Sequence, residues 1–313
     1  MKIASRRSPF GDRLCFAGLV PRQLVDIQGA FVRQLEVDGV HREDALARSR
    51  LVVPDGGLPA LLQLDPQLTI VRRLFDWVVS CLDSGVLDED CLWSDEPERL
   101  GAVVGRPRTV WCMGGNYLRR RLAPGEEPPP RRGPGGGLKA GGALTGPYDE
   151  LRSPVISERV DSEMELAVVI GPRSRLLTPD DAMAAVAGYV GFCDVTSRDV
   201  AELDNHRMDR AKGFDTYGIC GPWFVTADEI PDPHALRIRQ WVNGEVRRDG
   251  STAEMFHPVP EQLAWLTAAL TLAPGDVLST GAPAGQGAVR PGDVVRGEVE
   301  GLGVIENTVV LDD

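Results

Sequence analysis

Residues 161–171 of this 313-residue chain read DSEMELAVVIG, and this stretch decides the fold. A run of apolar and β-branched residues that ends at a Gly-Pro pair is typical of a buried strand. Side chains alternate along a strand, so we expect Asp161, Glu163 and Glu165 on one face, with neighbours about 7 Å apart. Carboxylates that lead into a buried strand are unfavourable unless positive charge lies among them. The stretch therefore predicts either a cation-containing site or a plain solvated strand end.

A second apolar strand is predicted at 188–194, GYVGFCD, and it ends on the carboxylate of Asp194. A turn and a helix over 174–187 connect the two strands, so we expect Asp194 to lie beside Glu163. Apolar residues recur at a helical period over 70–82, which predicts a helix there. An Asn-Gly pair at 243–244 lies between two predicted strands and indicates a hairpin.

The segments around these strands resemble the fumarylacetoacetate hydrolase family. The family signatures are a D-x-E-x-E-L-A strand, an N-D-V-x-x-R-D segment and a K-G-F-D-T loop, and the matching segments are residues 161–167, 193–199 and 212–216. The family's C-terminal pattern follows in STGAPAG at 279–285 and PGDVV at 291–295. The resemblance runs from about residue 103 to 310, whereas the first hundred residues match only loosely.

The resemblance implies an α+β fold that is mainly β. We expect a mixed β-roll or β-sandwich catalytic domain over residues 103–313, preceded by a small N-terminal α/β domain over residues 1–100. It also implies a homodimer.

Composition excludes several classes of partner. The formal net charge is −12, which makes binding to nucleic acid or to an anionic membrane unfavourable. We find no apolar stretch long enough to span a bilayer and no apolar segment after the basic N-terminus. Six scattered cysteines with no C-x-x-C pair are typical of reduced core residues. We therefore expect a cytoplasmic protein whose partner is a small molecule.

In the resembling family, Glu163, Glu165 and Asp194 would be the ligands of a divalent metal ion. Carboxylates are hard oxygen ligands that suit Mg²⁺, or Mn²⁺ or Ca²⁺, better than zinc. An octahedral ion with three such ligands keeps about three open positions, two of which a 2-oxo acid or a 1,3-dicarbonyl would fill. The metal would then act as a Lewis acid that stabilises the enolate formed when a C–H, C–C or C–COO⁻ bond breaks.

Further residues are assigned by the same motifs. We expect Lys212 to be catalytic, either by placing positive charge near the enolate oxygen or by moving a proton. Arg198 is expected to pair with Asp199, with a substrate contact as the alternative. The candidate substrate-binding residues are Arg198, Asp199, Gly213, Thr280 and Gly281.

One departure from the family pattern bears on the reaction. In the hydrolytic members a His and, three residues later, a Glu activate water, but here Arg120 and Ala123 occupy those positions. An arginine stays protonated and cannot act as a general base. Arg120 is therefore a candidate catalytic residue that would hold an acidic substrate group. Alternatively, it belongs to a basic turn that is simply solvated. Glu126 or Glu127 would replace the base if the alignment shifts.

The missing pair favours a non-hydrolytic reaction. Isomerisation, tautomerisation or decarboxylation of a chelated ketone needs no attacking water. Hydrolysis of a C–C bond by a different base is the first alternative, and a non-catalytic metal- or ligand-binding protein is the second. The Pro/Gly-rich segment 123–147 is either a lid or a plain loop. Lys139 stands where the family has a lysine, and the position of His206 is not predicted.

Overall fold

The structure, a computed structural model, describes residues 1–9, 11–118 and 133–312. Its elements form a mixed α+β fold that is mainly sheet, as predicted. Arg120 and Ala123 lie outside the described residues, as do Glu126 and Glu127. In the part of the chain that the structure describes, no helix combines the length and the apolarity that crossing a bilayer requires.

The described ranges contain six α-helices and twenty strands. The helices are α1 (Ile27–Val37), α2 (Arg42–Val52), α3 (Gly57–Leu64), α4 (Thr69–Cys81), α5 (Arg198–Leu203) and α6 (Val259–Ala269). The strands are β1 (Lys2–Arg6), β2 (Arg13–Val20), β3 (Gln23–Asp26), β4 (Leu92–Ser94), β5 (Leu100–Gly101), β6 (Val110–Met113), β7 (Gly136–Lys139), β8 (Leu144–Thr145), β9 (Leu151–Pro154), β10 (Val160–Asp161), β11 (Met164–Ile170), β12 (Val186–Asp194), β13 (Thr196–Ser197), β14 (Gly218–Thr226), β15 (Arg237–Val242), β16 (Glu245–Ser251), β17 (Val277–Ser279), β18 (Ala288–Val289), β19 (Val294–Val299) and β20 (Gly303–Asp312).

The strand that follows the acidic stretch lies inside a twelve-stranded sheet. The order along this sheet is β4-β3-β2-β1-β14-β12-β11-β17-β6-β7, with β5 paired to β1 and β8 paired to β14. Every residue of β11 is buried. Leu166 and Val168 point into one core, whereas Ala167 and Val169 point into the other. A strand covered on both faces reads as a continuous apolar run, which explains the sequence of β11.

Different elements cover the two faces of the sheet. Side chains of α1, α3 and α4 form one core with the odd-numbered residues of β11. A five-stranded sheet, in the order β16-β15-β19-β20-β9, and helix α6 form the other core with the even-numbered residues. A third sheet of three short strands, β13-β10-β18, lies beside the acidic stretch. Glu165 therefore lies in a strand that is fixed from both sides, and Glu163 directly precedes that strand.

The N-terminal part shares this sheet with the rest of the chain. Strand β1 pairs antiparallel with β14, with Ile3 opposite Phe224, and both side chains lie in the core under the helices. The predicted division into residues 1–100 and 103–313 stays a prediction. The structure shows that the two parts have a sheet and a core in common.

Three local predictions can be compared with the elements. The helix predicted over 70–82 is α4, and the Asn243-Gly244 pair forms the hairpin between β15 and β16 with positive φ at both residues. The helix predicted within 174–187 is wrong in extent, because only a 3₁₀ turn forms at Ala182–Ala185. Strands β11 and β12 are antiparallel neighbours, so a tight connection without a long helix is sufficient.

Because the N-terminal helices cover the central sheet, a cavity in them should destabilise the whole protein. Leu74→Ala on α4 removes a side chain that is 2% exposed, and we expect a loss of about 2–5 kcal/mol in the free energy of unfolding. Urea unfolding followed by circular dichroism and by tryptophan fluorescence should give one coincident transition at a lower urea concentration.

The matched control is Leu51→Ala on α2, whose side chain is 75% exposed. It should change the free energy of unfolding by no more than about 0.5 kcal/mol. Two separate transitions, with only one of them shifted by Leu74→Ala, would show that residues 1–100 unfold as an independent unit.

Candidate functional site

A cavity of about 1070 Å³ opens where β11 begins. Several segments that are distant in sequence contribute to its wall, including the turn after β6, strand β7 and the loop after β17. The wall contains both carboxylates and cationic side chains. Among the described residues, the charged residues of the wall are Asp161, Glu163, Glu165 and Glu202, and Arg159, Arg198, Lys212 and Arg248.

Glu165 is the most deeply buried of the acidic residues in the wall. The hydroxyl of Ser279 and the backbone N–H of Gly281, at 2.8 Å, both donate to its Oε2. Burial, together with the charge of nearby Asp194, raises the pKa of Glu165 to about 8. Gly281 can approach this closely because its φ of 90° is the left-handed conformation that glycine adopts without strain.

Asp194 lies behind the wall, between two lysines. Lys212 donates to its Oδ2, and the Nζ of Lys139 is 3.1 Å from its Oδ1. Burial alone would raise the pKa of Asp194, but the charges of both lysines hold it below the ordinary value. Burial likewise opposes the charge on Lys212, yet Asp194 and Glu165 raise its pKa. Lys212 is therefore a buried ammonium group beside the cavity.

Lys139 has a structural position. Its Nζ donates to the carbonyl oxygens of Val195 (3.1 Å), Lys212 (2.7 Å) and Tyr217 (2.9 Å). An ammonium group has three protons, so none is left for a well-directed hydrogen bond to Asp194. Among the described residues, the Oδ1 atom of Asp194 accordingly accepts no well-directed hydrogen bond, although the ammonium group of Lys139 lies 3.1 Å away.

Glu163 and Asp161 share one arginine. The Nη2 atom of Arg198 is 2.9 Å from Glu163, and its Nε donates to Asp161 at 3.0 Å. The predicted pairing of Arg198 with Asp199 is wrong. Asp199 instead accepts from the hydroxyl of Ser157 and from the backbone N–H of residue 158, at 2.7 Å each. It lies in the first turn of α5 and does not line the cavity.

The structure differs from the prediction in how the three expected metal ligands are arranged. Among the residues that the structure describes, no three His, Cys, Asp or Glu side chains come close enough together to hold an ion. Each carboxylate has its own partner instead: Arg198 for Glu163, Ser279 for Glu165 and the lysines for Asp194. Pairing satisfies charge that would otherwise be buried alone.

The same three residues nevertheless fit a divalent ion chemically. They supply only oxygen ligands, and the Oδ1 of Asp194, which Lys139 approaches to 3.1 Å, receives no well-directed hydrogen bond from the described residues. Holding an ion would require the side chain of Glu163, which is 26% exposed, to turn from Arg198 towards Glu165 and Asp194.

The remaining predicted residues are divided between the wall and the interior. Gly281 lies in the wall, whereas Gly213 and Thr280 do not. The hydroxyl and the N–H of Thr280 both donate to the carbonyl of Leu166, at 2.9 and 3.0 Å, so Thr280 fixes the loop to β11. We therefore assign Thr280 and Gly213 to support of the site.

Sequence reasoning missed other residues of the wall. These include Tyr117, Arg159, His206 and Arg248. Tyr117 follows the Gly114-Gly115 pair, and this glycine turn in the sequence could have indicated that Tyr117 lies at the site. Arg248 comes from strand β16 of the second sheet, and nothing local in the sequence connects that strand with the acidic stretch.

Comparison with known proteins adds to this geometry. The profile of the fumarylacetoacetate (FAA) hydrolase C-terminal family matches residues 109–310. Human mitochondrial oxaloacetate tautomerase FAHD2A is 41% identical over 217 residues, which are 67% of this chain and 68% of that protein.

Two solved structures are similar over the whole of both chains. Maleylpyruvate hydrolase from Sphingobium sp. SYK-6, in complex with manganese(II) and pyruvate, is 26% identical with a TM-score of 0.74. The 5-carboxymethyl-2-hydroxymuconate delta-isomerase from Mycobacterium smegmatis is 25% identical with a TM-score of 0.71. Proteins of this kind thus include tautomerases, isomerases and hydrolases.

The position of Lys139 generates a prediction about stability. Lys139→Met would leave three carbonyls without their donor and remove one cation from Asp194, so we expect a loss of about 3–5 kcal/mol in the free energy of unfolding. Urea unfolding of the wild type and the variant at neutral pH measures this loss in the free energy of unfolding.

Lys2→Met is the control, because Lys2 is a half-buried lysine of β1 outside the site. It should lower the free energy of unfolding by no more than about 0.5 kcal/mol. Equal stability of both variants would contradict the structural assignment of Lys139.

Proposed function

The chain belongs to the fumarylacetoacetate hydrolase family, and from that premise we propose that it is a divalent-metal-dependent enzyme that interconverts the keto and enol forms of a 2-oxo acid. The observation that carries the proposal is the buried ammonium group of Lys212, held by Asp194 beside a cavity whose wall contains Glu163 and Glu165. The likeness to an oxaloacetate tautomerase supports the reaction class.

Glu163, Glu165 and Asp194 would hold the divalent ion. A bound ion of this kind acts as a Lewis acid towards the oxygens of a 2-oxo acid. Support comes from the oxygen-only donor set and from the similar hydrolase that was solved with manganese(II) and pyruvate. We propose Mg²⁺ or Mn²⁺, with Ca²⁺ as the weaker Lewis acid.

Lys212 would stabilise the negative oxygen that develops when a proton leaves C3 of the substrate. The raised pKa of Lys212 favours this charge role over proton transfer, because a group that stays protonated cannot act as a base. His206 also lies in the wall, and an imidazole is the side chain that most often moves protons near neutral pH. We assign the proton transfer at C3 to His206.

Tautomerisation needs only that a proton leaves C3 and one is added to the oxygen on C2, or the reverse. Hydrolysis of a C–C bond would also need an activated water, and the residues at 120 and 123 cannot activate it. The likeness to a maleylpyruvate hydrolase makes hydrolysis by another base the second candidate. Decarboxylation would use the same stabilised oxygen. The homodimer and the cytoplasmic location stay predictions.

The metal assignment predicts a loss of affinity on removal of one carboxylate. Glu163→Gln keeps the shape of the side chain and removes its charge, so we expect Mn²⁺ to bind at least about tenfold more weakly. Titration calorimetry, or the electron paramagnetic resonance signal of free Mn²⁺, measures the change.

Glu202→Gln is the matched control, because Glu202 lies in the same wall but is exposed. It should leave the Mn²⁺ affinity within about twofold. Equal affinity of the wild type and Glu163→Gln would remove Glu163 from the metal site.

The catalytic assignment predicts separate effects for Lys212 and His206. With Mn²⁺ present, the wild type should accelerate the ketonisation of enol-oxaloacetate, which is followed by its ultraviolet absorbance. Lys212→Met should lower kcat by about 10²–10³-fold because it removes the charge that stabilises the oxyanion. His206→Asn should lower kcat by about 10²-fold or more because it removes the group that transfers the proton.

Chelation of the metal by EDTA should abolish the acceleration, and added Mn²⁺ should restore it. Circular dichroism of each variant shows that the fold is retained. If a C–C cleavage product forms from an acylpyruvate while oxaloacetate is not tautomerised, the hydrolytic alternative replaces the proposal.

A further inference from the structure

The guanidinium of Arg248 is a cation in the cavity wall that the chemistry above does not use. Arg248 lies on β16 and is only 4% exposed. Within the described part of the chain its one ion pair is with Glu163, and the Nη2 atom is 3.8 Å from the carboxylate oxygen. Glu163 makes a much closer contact, of 2.9 Å, with Arg198.

Arg248 is also short of hydrogen-bond acceptors. Its Nε is buried and has no partner among the described residues. A guanidinium has five donors in one plane, and two of them match the two oxygens of a carboxylate. Burying such a group without acceptors is unfavourable, so its surroundings are incomplete until an anion enters the cavity.

A second buried polar group lies in the same wall. The hydroxyl of Tyr117 makes no well-directed hydrogen bond among the described residues, although the hydroxyl of Thr280 is a neighbour. Burial and the charge of Glu165 raise the pKa of Tyr117, while the hydroxyl of Thr280 and the charge of Arg248 lower it. The hydroxyl therefore stays protonated at neutral pH and can donate a hydrogen bond within the cavity that Arg248 also lines.

We propose that Arg248 and Tyr117 form a carboxylate subsite that binds the second carboxylate of a dicarboxylic 2-oxo acid. The inference rests on the proposed function, because the 2-oxo acid end of the substrate is taken to lie at the metal-binding residues. Arg248 contacts the distal carboxylate through two N–H groups, and Tyr117 donates its hydroxyl proton to the same group.

The charges of the wall support a substrate with two negative charges. Among the described residues, four carboxylates face four cations; they are Asp161, Glu163, Glu165 and Glu202, and Arg159, Arg198, Lys212 and Arg248. With Glu165 ionised as a metal ligand, a divalent ion would add two positive charges, and a dianion would balance them. A monocarboxylic 2-oxo acid would leave Arg248 without its acceptors. The site should therefore discriminate strongly between dicarboxylic and monocarboxylic 2-oxo acids.

The test compares two stable ligands that differ in the distal carboxylate. Binding of 2-oxoglutarate and of 2-oxobutyrate to the Mn²⁺-loaded protein is measured by calorimetry. We expect the wild type to bind the dianion about 10- to 100-fold more tightly, as expected for charged hydrogen bonds. Arg248→Met should abolish this preference, and Tyr117→Phe should reduce it by about threefold or more.

Arg247→Met is the matched control. Arg247 is the neighbouring residue of β16, does not line the cavity and pairs with Glu245 at 3.1 Å. It should keep the preference for the dianion unchanged. Tyr117→Phe, which removes one oxygen only, and Arg248→Gln provide the test if Arg248→Met does not fold.

The outcomes distinguish the subsite from the reaction. If the wild type binds both ligands equally, or neither, the subsite is overturned. If Arg248→Met weakens both ligands by the same factor, Arg248 only balances the charge of Glu163, and the subsite is again overturned. If the preference and its loss are found but oxaloacetate is not tautomerised, the proposed reaction fails and the subsite stands.

Discussion

The ion pair between Asp194 and two buried lysines is the interaction on which the rest of the site depends. Asp194 is 1% exposed, and Lys139 and Lys212 are 2% and 6% exposed. A carboxylate at such a depth would not stay ionised without compensating charge. The ladder from β11 through β12 to β14 prevents Asp194 from moving to solvent. Lys139 then uses its protons to fix the loops that carry Val195 and Lys212, so the charge pair and the backbone of the site stabilise each other.

The alternation of side chains along β11 connects this charge pair with packing. Even-numbered residues fill the core under the second sheet, and odd-numbered residues fill the core under the N-terminal helices. Glu165 is an odd-numbered residue, so its side chain lies on the same face of β11 as Ala167. On that face the core ends at Ala167, and the cavity begins at Glu165. The first hundred residues thus contribute no side chain to the part of the wall argued above, yet they form the core behind it. Their strands extend the same sheet through β1 and β14.

In the proposed function, Arg198 and the metal ion compete for Glu163. Arg198 holds Glu163 and Asp161 in the structure, and binding of an ion would transfer one of these carboxylates from the arginine to the metal. The arginine would then be free to contact the substrate, which agrees with the alternative considered for it from the sequence. Arg198 and Arg248 lie on either oxygen of Glu163, and in this proposal Arg198 would contact the 2-oxo acid group and Arg248 the distal carboxylate.

The sequence by itself determined the strand over the acidic stretch, helix α4, the Asn-Gly hairpin and the family, because periodicity, turn residues and motif spacing are local signals. It also identified Glu163, Glu165 and Lys212, which the structure brings to one cavity. Only the tertiary structure decided which charges meet. Arg198 pairs with Glu163 instead of its neighbour Asp199, the carboxylates do not converge as three ligands, and Arg248 enters from a distant strand. Such contacts depend on the register of strands and on the packing of two sheets, and neither is encoded within any single segment.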